Sequence, residues 1–266
     1  MKVALTIAGS DSGGGAGIQA DLKTFAARGI FGTSVIAAIT AQNTQGVTGV
    51  QEISQDLIAK QFDAVCSDFH IGAAKTGMLG SNAIIDVVTE KVWEWNLRKL
   101  VVDPVMIAKS GDALLQADAV QALIQKVLPL AYIITPNMPE AEVLCGEKVF
   151  DKASRDAAAR KIWELGGGAG REFYVIVKGG HEENTDRSTD VLFDGEGFQE
   201  YSASRIQSQN THGTGCTFSA AIAAELAKGV SVSEAVQAAK LYISAAIAQA
   251  PPLGHGHGPL QHFPAL

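Results

Sequence analysis

Short apolar runs rich in β-branched residues alternate along the chain with longer stretches of helical periodicity. This is the pattern of βα units around a largely parallel sheet. Residues 3–8 read as a buried strand, followed by a turn at Gly13-Gly14-Gly15-Ala16-Gly17 and a helix to about residue 28, stopped by Gly29. A second strand is expected at 34–40. Ser54 is placed to cap a helix running to about 67, because its hydroxyl can accept an orphan N–H of the first turn. A short strand at 72–76 leads into Gly77-Met78-Leu79-Gly80, and Ser81 is expected to cap a helix to about 95. The strand 99–103 ends in Asp103-Pro104. A helix is expected over 113–128, beyond the loop Lys109-Ser110-Gly111-Asp112, and a strand over 132–135, ended by Pro136. Helices at 139–145 and 154–165, a strand at 173–178 and a hairpin of 190–193 with 197–202 follow, the hairpin turned by Asp194-Gly195. Helices at 213–228 and 231–249 and a Pro/Gly/His tail complete the reading.

Composition narrows the class without changing this outline. With 266 residues, 47% of them hydrophobic, the chain can bury a large core, and an α/β chain of this length is expected to form one domain, 1–266. A formal net charge of −7 argues against a nucleic-acid partner, whose electrostatic footprint would be basic. No apolar run has the length of a membrane span, and the first apolar run is too short for a signal peptide. Cys66, Cys145 and Cys216 are odd in number and widely spaced, which suits reduced thiols. A cytoplasmic location is the expectation.

In open α/β sheets ligands sit beyond the carboxyl ends of the strands. Those ends carry Asp11, Gln42, Lys75 to Met78, Asp103, Asn137 and Lys178. At Thr211-His212-Gly213-Thr214-Gly215-Cys216, glycines and polar residues open an Ala-rich helix. The free N–H groups and dipole of such a start favour an anion, and glycine lets the backbone approach it. Spacing alone leaves this cradle and a plain Thr-capped, tightly packed helix equally open; Ala220, Ala221, Ala223 and Ala224 point to packing. A helix start lowers a thiol's pKa, so Cys216 with His212 also leaves room for Cys–His acyl or thiol chemistry. No Gly-Lys-Ser/Thr occurs, and Ile18 occupies the third glycine position of a Gly-x-Gly-x-x-Gly, so P-loop and standard dinucleotide sites are disfavoured. The run Gly13 to Gly17 can lie flat against a planar ligand or simply turn. Asp103, Asn137 and Glu140 can hold Mg²⁺ through water beside phosphates. Lys178 suits phosphate. His255 and His257 read as a solvated tail rather than a metal site.

Taken together, these segments resemble the ribokinase superfamily, and within it the hydroxymethylpyrimidine/phosphomethylpyrimidine kinases of thiamine synthesis. The strings GGAGIQADLKT from Gly14 and THGTGC from Thr211 carry the resemblance most specifically, with Ala41-Gln42-Asn43-Thr44, Gly77-Met78-Leu79, Asp103-Pro104-Val105-Met106, Thr135-Pro136-Asn137 and Lys178-Gly179-Gly180-His181. It implies a three-layer αβα ribokinase-like fold with a mainly parallel sheet, usually a homodimer. It implies ATP-dependent phosphorylation of 4-amino-5-hydroxymethyl-2-methylpyrimidine and then of its monophosphate. By position, Asp21 and Gln42 would bond the aminopyrimidine, Met78 would pack on its ring, and Gly9 to Asp11 would line the pocket. Asp103 and Glu140 would serve Mg²⁺, and Lys178, Asn137 and Thr211 the nucleotide. Gly213, Thr214, Gly215 and Cys216 would form the catalytic anion hole, with His212 beside it. Two positions depart from the pattern. Many ribokinase relatives have Asp at the place of Cys216, and Thr40 stands where a Val-like residue is implied. A pyridoxal kinase or dual-specificity enzyme is the nearest alternative, and a Cys–His hydrolase is the rival from another class. A nucleotide sensor without turnover fits poorly with Asp103, Glu140 and Lys178 all present. The hairpin and the 109–111 loop are both candidate lids.

Overall fold

Strand β1 (Val3–Asp11) shows why both faces of the sheet are covered: Leu5 and Ile7 enter one apolar cluster and Ala4 enters a second, all fully buried. Side chains of a strand alternate between faces, so a strand buried at successive positions, as β1 is from Ala4 to Gly9, needs a layer on each side. The structure, a computed structural model, describes residues 1–106, 119–180 and 186–265. The loop at 109–111, the residues 113–118 of an expected helix and His181 lie outside them.

Helix α1 (Gly17–Ala27) leads to β2 (Phe31–Gln42) and β3 (Val47–Glu52); α2 (Gln55–Cys66), β4 (Ile71–Thr76), α3 (Asn82–Glu94) and β5 (Leu100–Val102) follow. After α4 (Ala119–Ala122) the chain passes through a π-helical turn at Leu123–Val127 and a 3₁₀ turn at Leu128–Leu130 into β6 (Ile133–Ile134). Then come α5 (Met138–Cys145), α6 (Lys152–Leu165), β7 (Tyr174–Val177), the hairpin β8 (Arg187–Phe193) and β9 (Phe198–Ser204), and finally α7 (Thr214–Lys228) and α8 (Val232–Ala248). Among the described residues the strands form one sheet in the order β3-β2-β1-β4-β5-β6-β7-β8-β9. The six strands from β2 to β7 pair in parallel, and β3, β8 and β9 add antiparallel edges. Helices α1, α7 and α8 pack with Ala4, Val101 and Ile176 on one face. Helices α2 to α6 pack with Leu5, Val102 and Val177 on the other. The three-layer αβα expectation holds.

Three local differences follow from forces that periodicity does not carry. Strand β3 was not expected: its residues are almost all exposed, so no apolar alternation marks it, and only its pairing with β2 makes it a strand. Strand β1 extends past Ala8, with a register shift at Ala8/Gly9, and so delivers Ser10 and Asp11 to the sheet's carboxyl edge. Ser81 does not cap α3; its hydroxyl donates to Glu52 Oε2 at 3.0 Å. Ser54 does cap α2, accepting from Leu57 N at 3.4 Å.

Candidate active site

The carboxyl ends of the parallel strands open into a cavity of about 820 Å³. Its walls include Gly9, Asp11, Gln42, Met78, Asp103, Asn137, Glu140 and Lys178, together with Thr211 to Cys216. Of the residues given a site role by the family resemblance, Asp21 alone is missing from those walls; Lys75 and the glycines Gly13 to Gly15 lie outside them as well.

On one wall the glycine run wraps the Asp11 carboxylate, which accepts from the N–H groups of Gly13 (2.8 Å), Gly15 (3.0 Å) and Ala16 (2.8 Å) and from His212 Nε2 (2.8 Å). Burial pushes the Asp11 carboxyl up, but the His212 bond and the backbone donors outweigh it and hold it below the usual range. The run that sequence left free to lie on a ligand is therefore bound to a carboxylate. Gln42 stands beside this group, its Oε1 3.1 Å from Thr40 Oγ1 and its Nε2 3.5 Å from His212 Nε2. The Met78 methyl covers Gly9.

On the facing wall Lys178 Nζ donates to Asp103 Oδ1 at 3.1 Å, while Asp103 Oδ2 is buried without a hydrogen-bond partner. Burial works against the Lys178 ammonium, but Asp103 and Glu140 outweigh it and keep it charged. Asn137 and Glu140 form a capping box on α5: Asn137 Oδ1 accepts from Glu140 N, and Glu140 Oε2 from Asn137 N, both at 2.8 Å. Burial, helped by the charge on Asp103 and opposed by Lys178, pushes the Glu140 carboxyl up to about 7.

Between the walls sits the start of α7. Gly213 adopts φ +83°, and a Cβ there would collide with the Gly15 carbonyl. No side chain caps the helix; Thr214 N donates to the Thr211 carbonyl at 3.3 Å, while Gly215 and Cys216, whose N–H groups have no acceptor within the helix, lie on the cavity wall. A Cβ on Gly215 would lie 3.4 Å from Lys178 Nζ and 3.5 Å from Asp103 Oδ2, which places this turn directly over the ion pair. Thr214 Oγ1 donates to the Thr211 carbonyl at 2.8 Å and steadies the entry to the helix.

Residues 11–261 match the phosphomethylpyrimidine kinase family. The chain belongs to that family. A hydroxymethylpyrimidine/phosphomethylpyrimidine kinase from Rhizobium meliloti is 51% identical over 264 residues, covering 98% of this chain and 97% of its own. The thiamine biosynthesis bifunctional protein ThiED of Geobacter sulfurreducens is also 51% identical, and this chain spans only 52% of its length. Among solved structures, an ADP complex of Bacillus subtilis pyridoxal kinase superposes with a TM-score of 0.90 at 41% identity, covering 98% of this chain and 97% of that one.

Within this kinase family member the geometry corrects two expectations. Asp21 does not face the cavity: it is fully buried, accepting from Lys75 Nζ at 2.9 and 3.0 Å and from Thr6 Oγ1 at 2.6 Å. A side chain whose acceptors are taken below the floor has none to offer a ligand. The Cys216 thiol is not activated by its helix start. Burial, with Asp21 and Asp103 adding and Lys75 opposing, pushes it up to about 11, so the thiol is protonated at neutral pH. Nor does His212 pair with it, since the His212 ring bonds Asp11 on the other wall. The Cys–His reading loses its base.

Sequence reasoning missed three contributors. Lys75 was seen only as a polar strand end. Lys240 was seen only as a break in an apolar helix, yet its Nζ donates to Asp190 Oδ2 at 2.8 Å and to Ser188 Oγ at 3.2 Å, on a lobe shared with Ile243 and Ile247. The tail is exposed at His255 and His257, as expected, but it is also tied down: His257 N donates to the Thr44 carbonyl at 2.8 Å and His212 N to the Gly258 carbonyl at 3.0 Å. Sequence periodicity does not mark such a strap, because these two bonds are backbone to backbone; the N–H groups of His255 and Gly256 add bonds to Thr44 Oγ1, both at 3.2 Å.

The raised Glu140 carboxyl has a testable sign. An acid whose folded value lies above its unfolded one binds more protons when folded, so stability falls as pH climbs from about 4.5 to about 7. Glu140→Gln removes that liability. Its melting temperature in ligand-free protein is expected to exceed the parent's at pH 8, by on the order of 1–2 kcal/mol in stability, and to match it at pH 4.5 or below. An equal gain at both pH values would show that the carboxyl is not raised.

Proposed function

We propose that the chain uses ATP to phosphorylate 4-amino-5-hydroxymethyl-2-methylpyrimidine, and then its monophosphate to the diphosphate, in thiamine diphosphate biosynthesis. The observation that carries the reading is one cavity with an uncapped helix start over the Asp103–Lys178 pair at one side and the Gln42 amide at the other. In phosphoryl transfer the protein's work is mainly to position and to stabilise charge. The first N–H groups of α7 and Lys178 hold the transferring phosphoryl group. Gln42 bonds the aminopyrimidine edge while Met78 and Gly9 flank its ring. The lobe of Ile243, Ile247 and Lys240 takes the nucleotide base and sugar. The relatives named as kinases of this pyrimidine support the substrate, and the ADP complex of the pyridoxal kinase supports a nucleotide on this fold.

Mg²⁺ fits the residues present. Asp103 Oδ2 is a buried oxygen without a partner, and Glu140 supplies a second carboxyl on the same wall. Hard oxygen donors of this kind suit Mg²⁺ held partly by water and phosphate. Among the described residues no cluster of three His, Cys, Asp or Glu forms a protein cage, so the ion would come with the nucleotide. When bound it would neutralise charge on the phosphates. Cys216, a protonated thiol near neutral pH, would border the acceptor hydroxyl without taking its proton, which would leave late to a phosphate oxygen or water, as a loose transition state permits. The reading includes residues 1–266 as one kinase domain in a cytoplasmic homodimer. Among the described residues no helix is long and apolar enough to cross a membrane.

The likeness to a pyridoxal kinase keeps a second substrate in view. Steady-state kinetics with ATP on both acceptors decides. The pyrimidine is expected to give the higher kcat/KM, and pyridoxal exceeding it would overturn the proposal.

A further inference from the structure

The side chain of Thr40 is buried at the cavity floor, where it contacts the Gln42 amide and the Ser10 carbonyl. Its Oγ1 lies 3.0 Å from Ser10 O and 3.1 Å from Gln42 Oε1, so one hydroxyl hydrogen faces two acceptors. At its other end the amide places Nε2 3.5 Å from His212 Nε2. That ring nitrogen must carry a hydrogen, because its 2.8 Å partner is the Asp11 carboxylate, which only accepts. Two donors thus meet where one acceptor is wanted.

Half a turn of the terminal amide removes both conflicts. Which end of an amide is oxygen is decided by its hydrogen-bond partners. Turned, Gln42 Nε2 donates to Thr40 Oγ1, Thr40 Oγ1 donates to Ser10 O, and Gln42 Oε1 lies beside the N–H of His212. Each contact in the chain then joins a donor to an acceptor, and the second Nε2 hydrogen is left for a ligand.

We propose that Thr40 is a specificity-determining residue: its hydroxyl fixes the Gln42 amide with nitrogen on the Thr40 side and oxygen on the His212 side, and so sets which way round the aminopyrimidine binds. This rests on the reading of Gln42 as the pyrimidine partner. The 4-amino group and the adjacent ring nitrogen offer a donor beside an acceptor. Against a fixed amide the donor must face Oε1, on the His212 side, and the ring nitrogen must face Nε2. The hydroxymethyl group is attached next to the amino-bearing carbon, on the side away from that ring nitrogen. It is therefore carried toward His212, the residue directly before the Gly213 cap of α7. The opposite amide would turn it away from the phosphate cradle. Pyridoxal lacks the amino donor, so it gains nothing from the fixed order.

Thr40→Val keeps the shape and removes the hydroxyl. Its kcat/KM for the pyrimidine is expected to fall about tenfold, the equivalent of one buried hydrogen bond, with the KM for ATP unchanged. Thr40→Ser should restore most of the loss. In a Gln42→Leu background Thr40→Val should add nothing, because Thr40 acts through the amide. Additive losses, or failure of Ser to rescue, would overturn the proposal. If Gln42→Leu alone leaves pyrimidine kcat/KM unchanged, it is the underlying placement of the ring that fails. Thermal melts of each variant separate a folding defect from a change in the site.

Discussion

Asp103→Asn is expected to lower kcat by about a hundred- to a thousand-fold, the scale on which removal of one preorganised electrostatic group acts at a site of developing charge, while the fold survives. The substitution keeps the side chain's shape. It removes the negative charge that pairs Lys178 at 3.1 Å and turns the unpartnered Oδ2 into an amide or a weaker acceptor. Lys178 opens onto the cavity, so its loss of a partner is met by water and phosphate rather than by unfolding. The loss should fall mainly on kcat, with a higher Mg²⁺ concentration needed for half-maximal rate, if Mg²⁺ is held as proposed, since Asp103 Oδ2 is a buried oxygen without a partner. Initial rates over a matrix of ATP and Mg²⁺, with circular dichroism to confirm the fold, check this. A variant within threefold of the parent would remove Asp103 from the phosphate machinery.

Most of what places Asp103 was legible in the sequence. A buried strand broken by Asp-Pro reads as a strand end in an α/β fold, and Val102 and Ile134 both fall in apolar runs read as strands. The same holds for the hairpin, where Gly195 takes φ +98° and Asp194 Oδ1 accepts from the N–H groups of Glu196 and Gly197. What escaped lacks a one-dimensional trace. β3 is a strand only because β2 offers an edge, and the tail straps Thr44 to His212 through backbone groups that every residue owns. Charge states escaped for a related reason. A helix start lowers a thiol's pKa when solvent shares the site, but Cys216 lies where burial dominates, and burial is a property of the assembled layers. Asp21 is the sharpest case. Its helix position aims it at the cavity's underside, and whether it ends above or below the floor turns on where Lys75 emerges from β4.

That buried pair gives the largest effect expected on stability. Lys75 and Asp21 are both fully shielded from solvent, joined at 2.9 and 3.0 Å, with Thr6 Oγ1 completing the carboxylate at 2.6 Å. Burial works against the Lys75 ammonium, yet the negative charges of Asp21, first, and Asp103 outweigh it and hold it ionised. Breaking such a pair leaves one charge uncompensated in the core. Lys75→Met is therefore expected to cost roughly 3–5 kcal/mol, a drop in melting temperature of roughly 10 °C in a chain of this size. Replacing both partners, as Lys75→Met with Asp21→Leu, removes the stranded charge and should recover most of that loss, because an apolar pair of similar volume carries no desolvation penalty. Thermal or urea melts of the two variants measure the difference directly; equal losses would mean that packing, not charge, holds the floor together. Turnover of the double variant then reads something else. The floor lies beneath the start of α7, and its positive end favours negative charge at Cys216. A stable double variant with low kcat and an unchanged KM for the pyrimidine would assign Lys75 to the field under the phosphate cradle. Full activity would leave it a fastener between α1 and β4.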